Sequence, residues 1–185
     1  TQVAGEQNCY NQPAHTSFYL GSDEKMPDRP SVKVNGASKP VEPVTTAVTQ
    51  KPTVTTTQQQ SDTNPTEIID GGIYVIKNLN SGLYLNVENN VPSNVSNVQQ
   101  SLSDSTTWKL ISKGDGYYSL IPQIGDNSSF ALDVTAKKTD NGTNIQIYNY
   151  SGNDNQQFKL VKNSDGSYLI QTKISNNASC IEVIN

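Results

Sequence analysis

The C-terminal two-thirds of the chain alternates short apolar runs with polar turn residues, a pattern typical of β-strands. A turn-then-strand signal, in which an Asp-Gly pair precedes a tyrosine, occurs three times, with Tyr74, Tyr118 and Tyr168 as its tyrosines. These tyrosines lie 44 and then 50 residues apart. No stretch sustains the i, i+3, i+4 spacing of an amphipathic helix. The pattern predicts an all-β fold built from a repeat of about 48 residues.

A second signature follows each of these signals, an apolar strand with a polar residue at its centre. The central residues are Asn86, Asp133 and Glu182, which lie 47 and 49 residues apart. In the first two repeats a glutamine follows 13 residues later, and then a closing aromatic, Trp108 or Phe158. The same spacing places the closing aromatic of the third repeat near position 207, beyond the last residue. We expect a pseudo-threefold barrel, which removes exposed sheet edges, with an incomplete third repeat.

Composition divides the chain into three segments. Residues 37–67 are rich in Thr, Pro, Gln and Val and contain no aromatic residue and no glycine. Such a segment cannot bury enough apolar surface to offset the entropy of ordering, so we predict a disordered Pro/Thr linker. Residues 1–36 contain too few apolar residues for a core of their own, and we interpret them as the tail of an unidentified upstream module. Residues 68–185 form the repeated domain.

Charge excludes two classes of partner. The net charge is −4, and no basic block of five or more residues occurs. Nucleic acid and anionic membranes both attract cationic surfaces, so we expect neither as a partner. No apolar run approaches the roughly 20 residues that span a bilayer, so no membrane insertion is expected.

The reactive side chains are few. Cys9 and Cys180 cannot make a disulfide framework or a four-ligand zinc site, and we interpret them as unpaired. The only histidine, His15, has no nucleophile motif around it. We therefore expect no catalytic residue, no metal and no cofactor in this chain.

The second repeat contains three motifs in a fixed order. They are Phe130-Ala-Leu-Asp-Val134, Ile145-Gln-Ile-Tyr148 and Asn155-Gln-Gln-Phe158. Their succession resembles the ricin-B-type β-trefoil lectins, including the family 13 carbohydrate-binding modules of bacterial glycoside hydrolases. Phe158 stands where that family usually has tryptophan. The resemblance covers residues 70–185 and implies a β-trefoil that binds carbohydrate without catalysing a reaction.

In that family each repeat can form a shallow sugar pocket. The positions carried over to the second repeat are Asp133, Gln146, Tyr148, Asn155 and Gln156. A carboxylate accepts from sugar hydroxyls, an aromatic ring offers a flat face to a pyranose, and amides offer both donors and acceptors. A structural role is the alternative for Gln156, whose side chain can satisfy loop backbone groups beside the buried aromatic.

The other two repeats depart from the pattern. In the first repeat Asn86 replaces the carboxylate and Ser101 replaces the aromatic ring, while Ser105-Thr106 replaces Asn-Gln, so we predict a structural repeat without a sugar pocket. The third repeat retains Glu182 as a weaker candidate. Cys180 falls where some family members carry half of a disulfide, with the expected partner in the missing part of the repeat.

These features together predict a secreted, extracellular module that targets an attached polysaccharide-degrading enzyme to plant cell-wall polysaccharide. The implied partners are a polysaccharide or oligosaccharide of galactan, arabinan or xylan type and a catalytic module upstream in the same chain, of the glycoside hydrolase kind. Two alternatives remain open. One is a lectin or toxin subunit that recognises cell-surface sugars, and the other is a β-trefoil interaction module without a sugar site.

Overall fold

The computed structural model describes residues 3–7, 17–21, 67–102, 106–125 and 129–183. Their strands form one twelve-stranded antiparallel sheet, interrupted within these ranges only by turns, loops and short 3-10 helices. The strands are β1 Val3–Gln7, β2 Ser17–Gly21, β3 Ile73–Asn78, β4 Tyr84–Val87, β5 Ser96–Ser101, β6 Trp108–Gly114, β7 Tyr117–Pro122, β8 Phe130–Val134, β9 Thr143–Asn149, β10 Phe158–Lys162, β11 Tyr168–Thr172 and β12 Ser179–Val183. The predicted all-β class is confirmed.

The pseudo-threefold symmetry is visible in the pairing of the three predicted tyrosines. Each tyrosine lies in the first strand of a repeat, opposite a fully buried aromatic residue in the fourth strand of a repeat. The pairs are Tyr74 with Trp108, Tyr118 with Phe158, and Tyr168 with Phe18. The first repeat is β3 to β6 and the second is β7 to β10. The repeat inferred from the sequence is therefore a repeat of the fold.

The third repeat combines strands from both ends of the chain. Its first two strands, β11 and β12, are the half predicted from the sequence. Strand β1 pairs with β12 and with β9, and strand β2 pairs with β11 and β3, so they occupy the third and fourth positions. The expectation of an incomplete third repeat is thus wrong, because β1 and β2 complete it. The assignment of residues 1–36 to a separate upstream module is likewise wrong for residues 3–7 and 17–21. The repeat spacing did not identify β1 and β2, because it was counted only toward higher residue numbers and these strands lie near the start of the sequence.

This arrangement also changes the interpretation of residues 37–67 as a linker between domains. The predicted linker, residues 37–67, lies outside the described residues except for Glu67. The strands on either side of it, β2 and β3, are hydrogen-bonded neighbours, with Phe18 opposite Asn78. The segment therefore connects two strands of one domain, instead of separating this domain from another.

The core contains the three closing aromatics, Tyr74 and Tyr168, and aliphatic residues of all three repeats. In the second repeat, the predicted core positions Leu132, Val134, Ile145 and Ile147 are buried, and Leu160 is partly buried against the same core. Cys180 is buried and disulfide-bonded, and Cys9 is the only other cysteine in the sequence. The interpretation of Cys180 as unpaired is therefore wrong. Among the described residues, no helix has the length and apolar character needed to cross a membrane.

Replacing Phe18 tests whether β2 belongs to the barrel. Phe18 is only 1% exposed, so Phe18→Ala should lower the free energy of unfolding by about 3–5 kcal/mol through lost burial and a residual cavity. Tyr19→Ala, at the adjacent half-buried position, is the matched control and should cost clearly less. Urea denaturation of the whole chain measures both. Equally small losses in the two variants would contradict the position of β2.

Candidate functional site

A cavity of about 590 Å³ lies where β8 and β9 meet the 3-10 turn Asp154–Gln156. We call it the Asp133 cavity, and its volume is within the range of small-ligand sites. It is lined by Val95, Asp133, Thr135, Ala136, Lys137, Gln146, Tyr148, Asn149, Tyr150, Ser151, Asn153, Asn155 and Gln156. All five residues predicted for the second repeat are among them, so the structure brings the predicted set together.

Asp133 is the centre of the hydrogen-bond network at the base of the cavity. Gln146 Nε2 donates to Asp133 Oδ1 at 3.1 Å. Asn155 Nδ2 and Gln156 Nε2 donate to Oδ2 at 2.7 and 2.9 Å. The carboxylate is 3% exposed, and these three donors compensate part of the cost of burying a charge.

The register of β8 and β9 explains the spacing of 13 residues seen in the sequence. Asp133 in β8 lies directly opposite Gln146 in β9. Cross-strand neighbours on one face are close enough for their side chains to interact. The first repeat has the same register, with Asn86 opposite Gln99.

Burial is the main influence on the ionisation of Asp133. It raises the pKa of this carboxyl above its ordinary value, because the charged form loses hydration. The amides of Gln146 and Gln156, the charge of Lys137 and the amide of Asn155 act in the opposite direction and do not cancel the effect. Asp133 therefore takes up a proton at a higher pH than an exposed aspartate does.

Gln156 is a positioning residue, as the structural alternative for it proposed. Its Oε1 accepts from Ser151 N at 2.8 Å and from Gly152 N at 3.1 Å, and its Nε2 donates to Asn149 O at 3.0 Å. The side chain is 1% exposed. It therefore joins Asp133 to the loop after β9 and has little capacity left for a ligand.

Two polar atoms in the lining have no hydrogen-bond partner among the residues that the structure describes. Among the described residues, Asn155 Oδ1 and Thr135 Oγ1 are buried without a hydrogen bond, and both residues line the Asp133 cavity. Buried polar groups are almost always paired, so an unpaired one needs an explanation. A ligand with hydroxyl groups would supply the missing partner for each.

The mouth of the cavity is aromatic. Tyr148 and Tyr150 are 42% and 36% exposed, and they are the exposed aromatic rings among the described residues. The ammonium of Lys113 lies 5.8 Å from the centre of the Tyr150 ring and donates to its hydroxyl at 3.3 Å. One ring is thus open to a ligand, and the second is partly covered by a lysine.

Several lining residues were not identified from the sequence. Tyr150 follows Tyr148 by two positions, which is the spacing of one strand face, and this signal was available. Val95, Ala136 and Lys137 carried no family motif. The weaker candidate Glu182 lies in β12, opposite Ala4 of β1, and is not among the lining residues.

The first repeat has a smaller network at the equivalent positions. Asn86 replaces Asp133, and its Oδ1 accepts from the backbone N of Thr106 at 3.2 Å. The Thr106 hydroxyl donates to Asn90 Oδ1 at 2.9 Å. These contacts support the predicted structural role of the first repeat.

For metal binding, no group of three or more His, Cys, Asp or Glu side chains in the described part of the chain is arranged to hold an ion.

Known proteins resemble this chain in sequence and in fold. The ricin-type β-trefoil lectin domain-like family matches residues 58–148 and 107–185. The designed threefold-symmetric protein ThreeFoil is 34% identical and superposes with a TM-score of 0.54 over 63% of this chain and 91% of its own. The Rhizoctonia solani agglutinin is 23% identical, with a TM-score of 0.42 over 55% of this chain and 62% of its own.

A shorter match extends to an enzyme. The rhamnogalacturonan exolyase YesX of Bacillus subtilis is 46% identical over 35 residues, which are 19% of this chain. The matched segment spans only 6% of the length of that enzyme.

The β-trefoil fold and the family match identify a lectin-type domain, a non-catalytic class associated with carbohydrate binding. The chain belongs to the ricin-type β-trefoil lectin domain-like family.

The raised pKa of Asp133 predicts that sugar binding weakens in acid. A carboxylate accepts hydrogen bonds better than a carboxylic acid, so affinity should fall as the pH drops through this raised pKa. The folded state takes up that proton before the unfolded chain does. The contribution of Asp133 to the free energy of unfolding therefore rises as the pH falls and is lost as the pH rises through the folded pKa.

The affinity is measured by titrating the protein with an oligosaccharide that it binds, at a series of pH values from about 7 to about 4. Thermal unfolding in the same buffers measures the stability. Affinity that stays constant across this range would show that the Asp133 carboxylate does not contact the sugar.

Proposed function

We propose that the Asp133 cavity binds a neutral sugar unit of a plant cell-wall polysaccharide of galactan, arabinan or xylan type. The observation that carries this proposal is a buried set of open acceptors beneath an exposed aromatic ring. Asp133 Oδ1 accepts one hydrogen bond, from Gln146, although a carboxylate oxygen can accept two. Asn155 Oδ1 lies unpaired in the same lining.

The chemistry of a sugar matches this arrangement. Adjacent hydroxyls can donate to Asp133 Oδ1 and Asn155 Oδ1, while the apolar C–H face lies against Tyr148. Two or three net hydrogen bonds and one ring contact correspond to a dissociation constant of about 0.1–1 mM. Binding at several positions on one polymer strengthens such a weak site through effective concentration.

We also propose that the domain is extracellular and attached to a polysaccharide-degrading enzyme. The disulfide-bonded Cys180 favours an oxidising compartment. The similarity of a short segment to the rhamnogalacturonan exolyase supports an association with plant polysaccharide degradation, and adds rhamnogalacturonan to the polymers to be tested. The linker gives no support to an attached enzyme, because it connects two strands of the same domain.

Affinity electrophoresis in gels containing galactan, arabinan, xylan or rhamnogalacturonan tests the proposal. We expect retardation of the whole chain by at least one polymer. Tyr148→Ala should abolish most of it, because this exposed ring contacts the sugar and contributes little to the core. Leu102→Ala is the matched control, since Leu102 is 88% exposed and lies outside the Asp133 cavity, and it should migrate like the wild type.

Two outcomes would contradict the proposal. Retardation that Tyr148→Ala leaves unchanged would locate the sugar site elsewhere. Absence of retardation by all four polymers would exclude the plant polysaccharide and favour cell-surface glycans, which an array of such glycans would then test.

A further inference from the structure

Val95 lies at the edge of the Asp133 cavity but belongs to the first repeat. It is in the loop between β4 and β5, and its side chain is 66% exposed. Its backbone N donates to Ile147 O at 3.0 Å, and the side chain of the preceding Asn94 accepts from Asn149 N at 2.7 Å. Both bonds go to β9 on either side of Tyr148. The loop is therefore fixed to the strand that carries the exposed ring.

The backbone of Val95 is in an unfavourable conformation for its residue type. Its φ is +64°, in the left-handed region that a β-branched residue rarely adopts. The equivalent position of the second repeat, 47 residues later, is Gly142, with a φ of +77°. The turn therefore needs a left-handed residue, and glycine or asparagine would supply it at a lower free energy.

Folding does not account for a valine at this position. The exposed side chain contributes little to the core, and valine raises the energy of the turn. An exposed apolar residue held in a strained conformation at the edge of a cavity is explained by contact with something that occupies the cavity. The lining of the cavity also includes Ala136 and Lys137, whose φ values are +53° and +57°. Their counterparts in the first repeat are Asn89 and Asn90, residues that tolerate this region well.

We propose that Val95 is a specificity-determining residue that forms, together with Tyr148, an apolar wall against the bound sugar. The inference rests on the proposed function of the Asp133 cavity. The hydroxyls of the sugar face Asp133 and Asn155 at the base, and an apolar edge of the ring lies against Val95. The cavity is thus completed by two repeats, and it selects sugars that present hydroxyls on one side and C–H groups on the other.

Substitution of Val95 separates a ligand contact from a structural role. Val95→Asn and Val95→Gly suit the left-handed turn and remove the wall, so the unfolding temperature should be unchanged or higher. On the polymer that retards the wild type, the retardation of these two variants should correspond to an affinity about three- to tenfold weaker than that of the wild type. Val95→Ile keeps the wall and should keep the affinity. Asn89→Gly is the control, because Asn89 has a left-handed backbone but does not line the cavity. This substitution should leave the affinity unchanged.

The outcomes are distinguishable. If no polymer in the panel retards the wild type, the proposed function itself fails. If the wild type binds and the Asn and Gly variants bind equally well, only the role of Val95 is overturned. Weaker binding together with a lower unfolding temperature would also overturn it, because Val95 would then stabilise the fold.

Discussion

Closure of the barrel is the constraint on which the rest of this structure depends. A sheet of this kind avoids unpaired edges only when all three repeats contribute their strands. Trp108, Phe158 and Phe18 occupy equivalent positions, and each lies opposite the tyrosine that opens a repeat. The chain supplies the third aromatic from residue 18 instead of from a position after β12. Two distant segments of sequence thereby become one repeat.

The Asp133 cavity follows from this closure because residues of two neighbouring repeats line it. The pairing of β5 with β9 brings the Val95 loop of the first repeat beside the Tyr148 strand of the second. The base of the site is a buried carboxylate whose charge is tolerated because three amides donate to it. The first repeat has Asn86 in place of this carboxylate and forms a smaller hydrogen-bond network with Thr106 and Asn90. The carboxylate of Asp133 is thus one of the differences between the repeat with the cavity and the repeat for which we predict a structural role.

The sequence was sufficient for the features that depend on local spacing. The turn-then-strand signal, the 13-residue spacing between Asp133 and Gln146, and the burial of Phe158 could all be identified from the sequence, because each is contained within one repeat. The role of β1 and β2 could not, since their repeat is divided between the two ends of the chain and a forward spacing does not reach them. Val95 was missed for a similar reason, because it belongs to another repeat than the site it lines. Spacing also could not separate Gln156, which supports the loop, from Asn155, which has an unpaired oxygen.

We propose that the acceptors around Asp133 receive the hydroxyls of a sugar. The most direct measurement follows the side-chain amide signals of the whole protein by NMR during titration with galacto-, arabino- and xylo-oligosaccharides. We expect one of these sugars to shift the signals of Asn155 and Gln146, while the amide signal of Gln100 in the first repeat stays unchanged. Shifts confined to amides outside the Asp133 cavity, or equal shifts at Gln100 and Asn155, would contradict it.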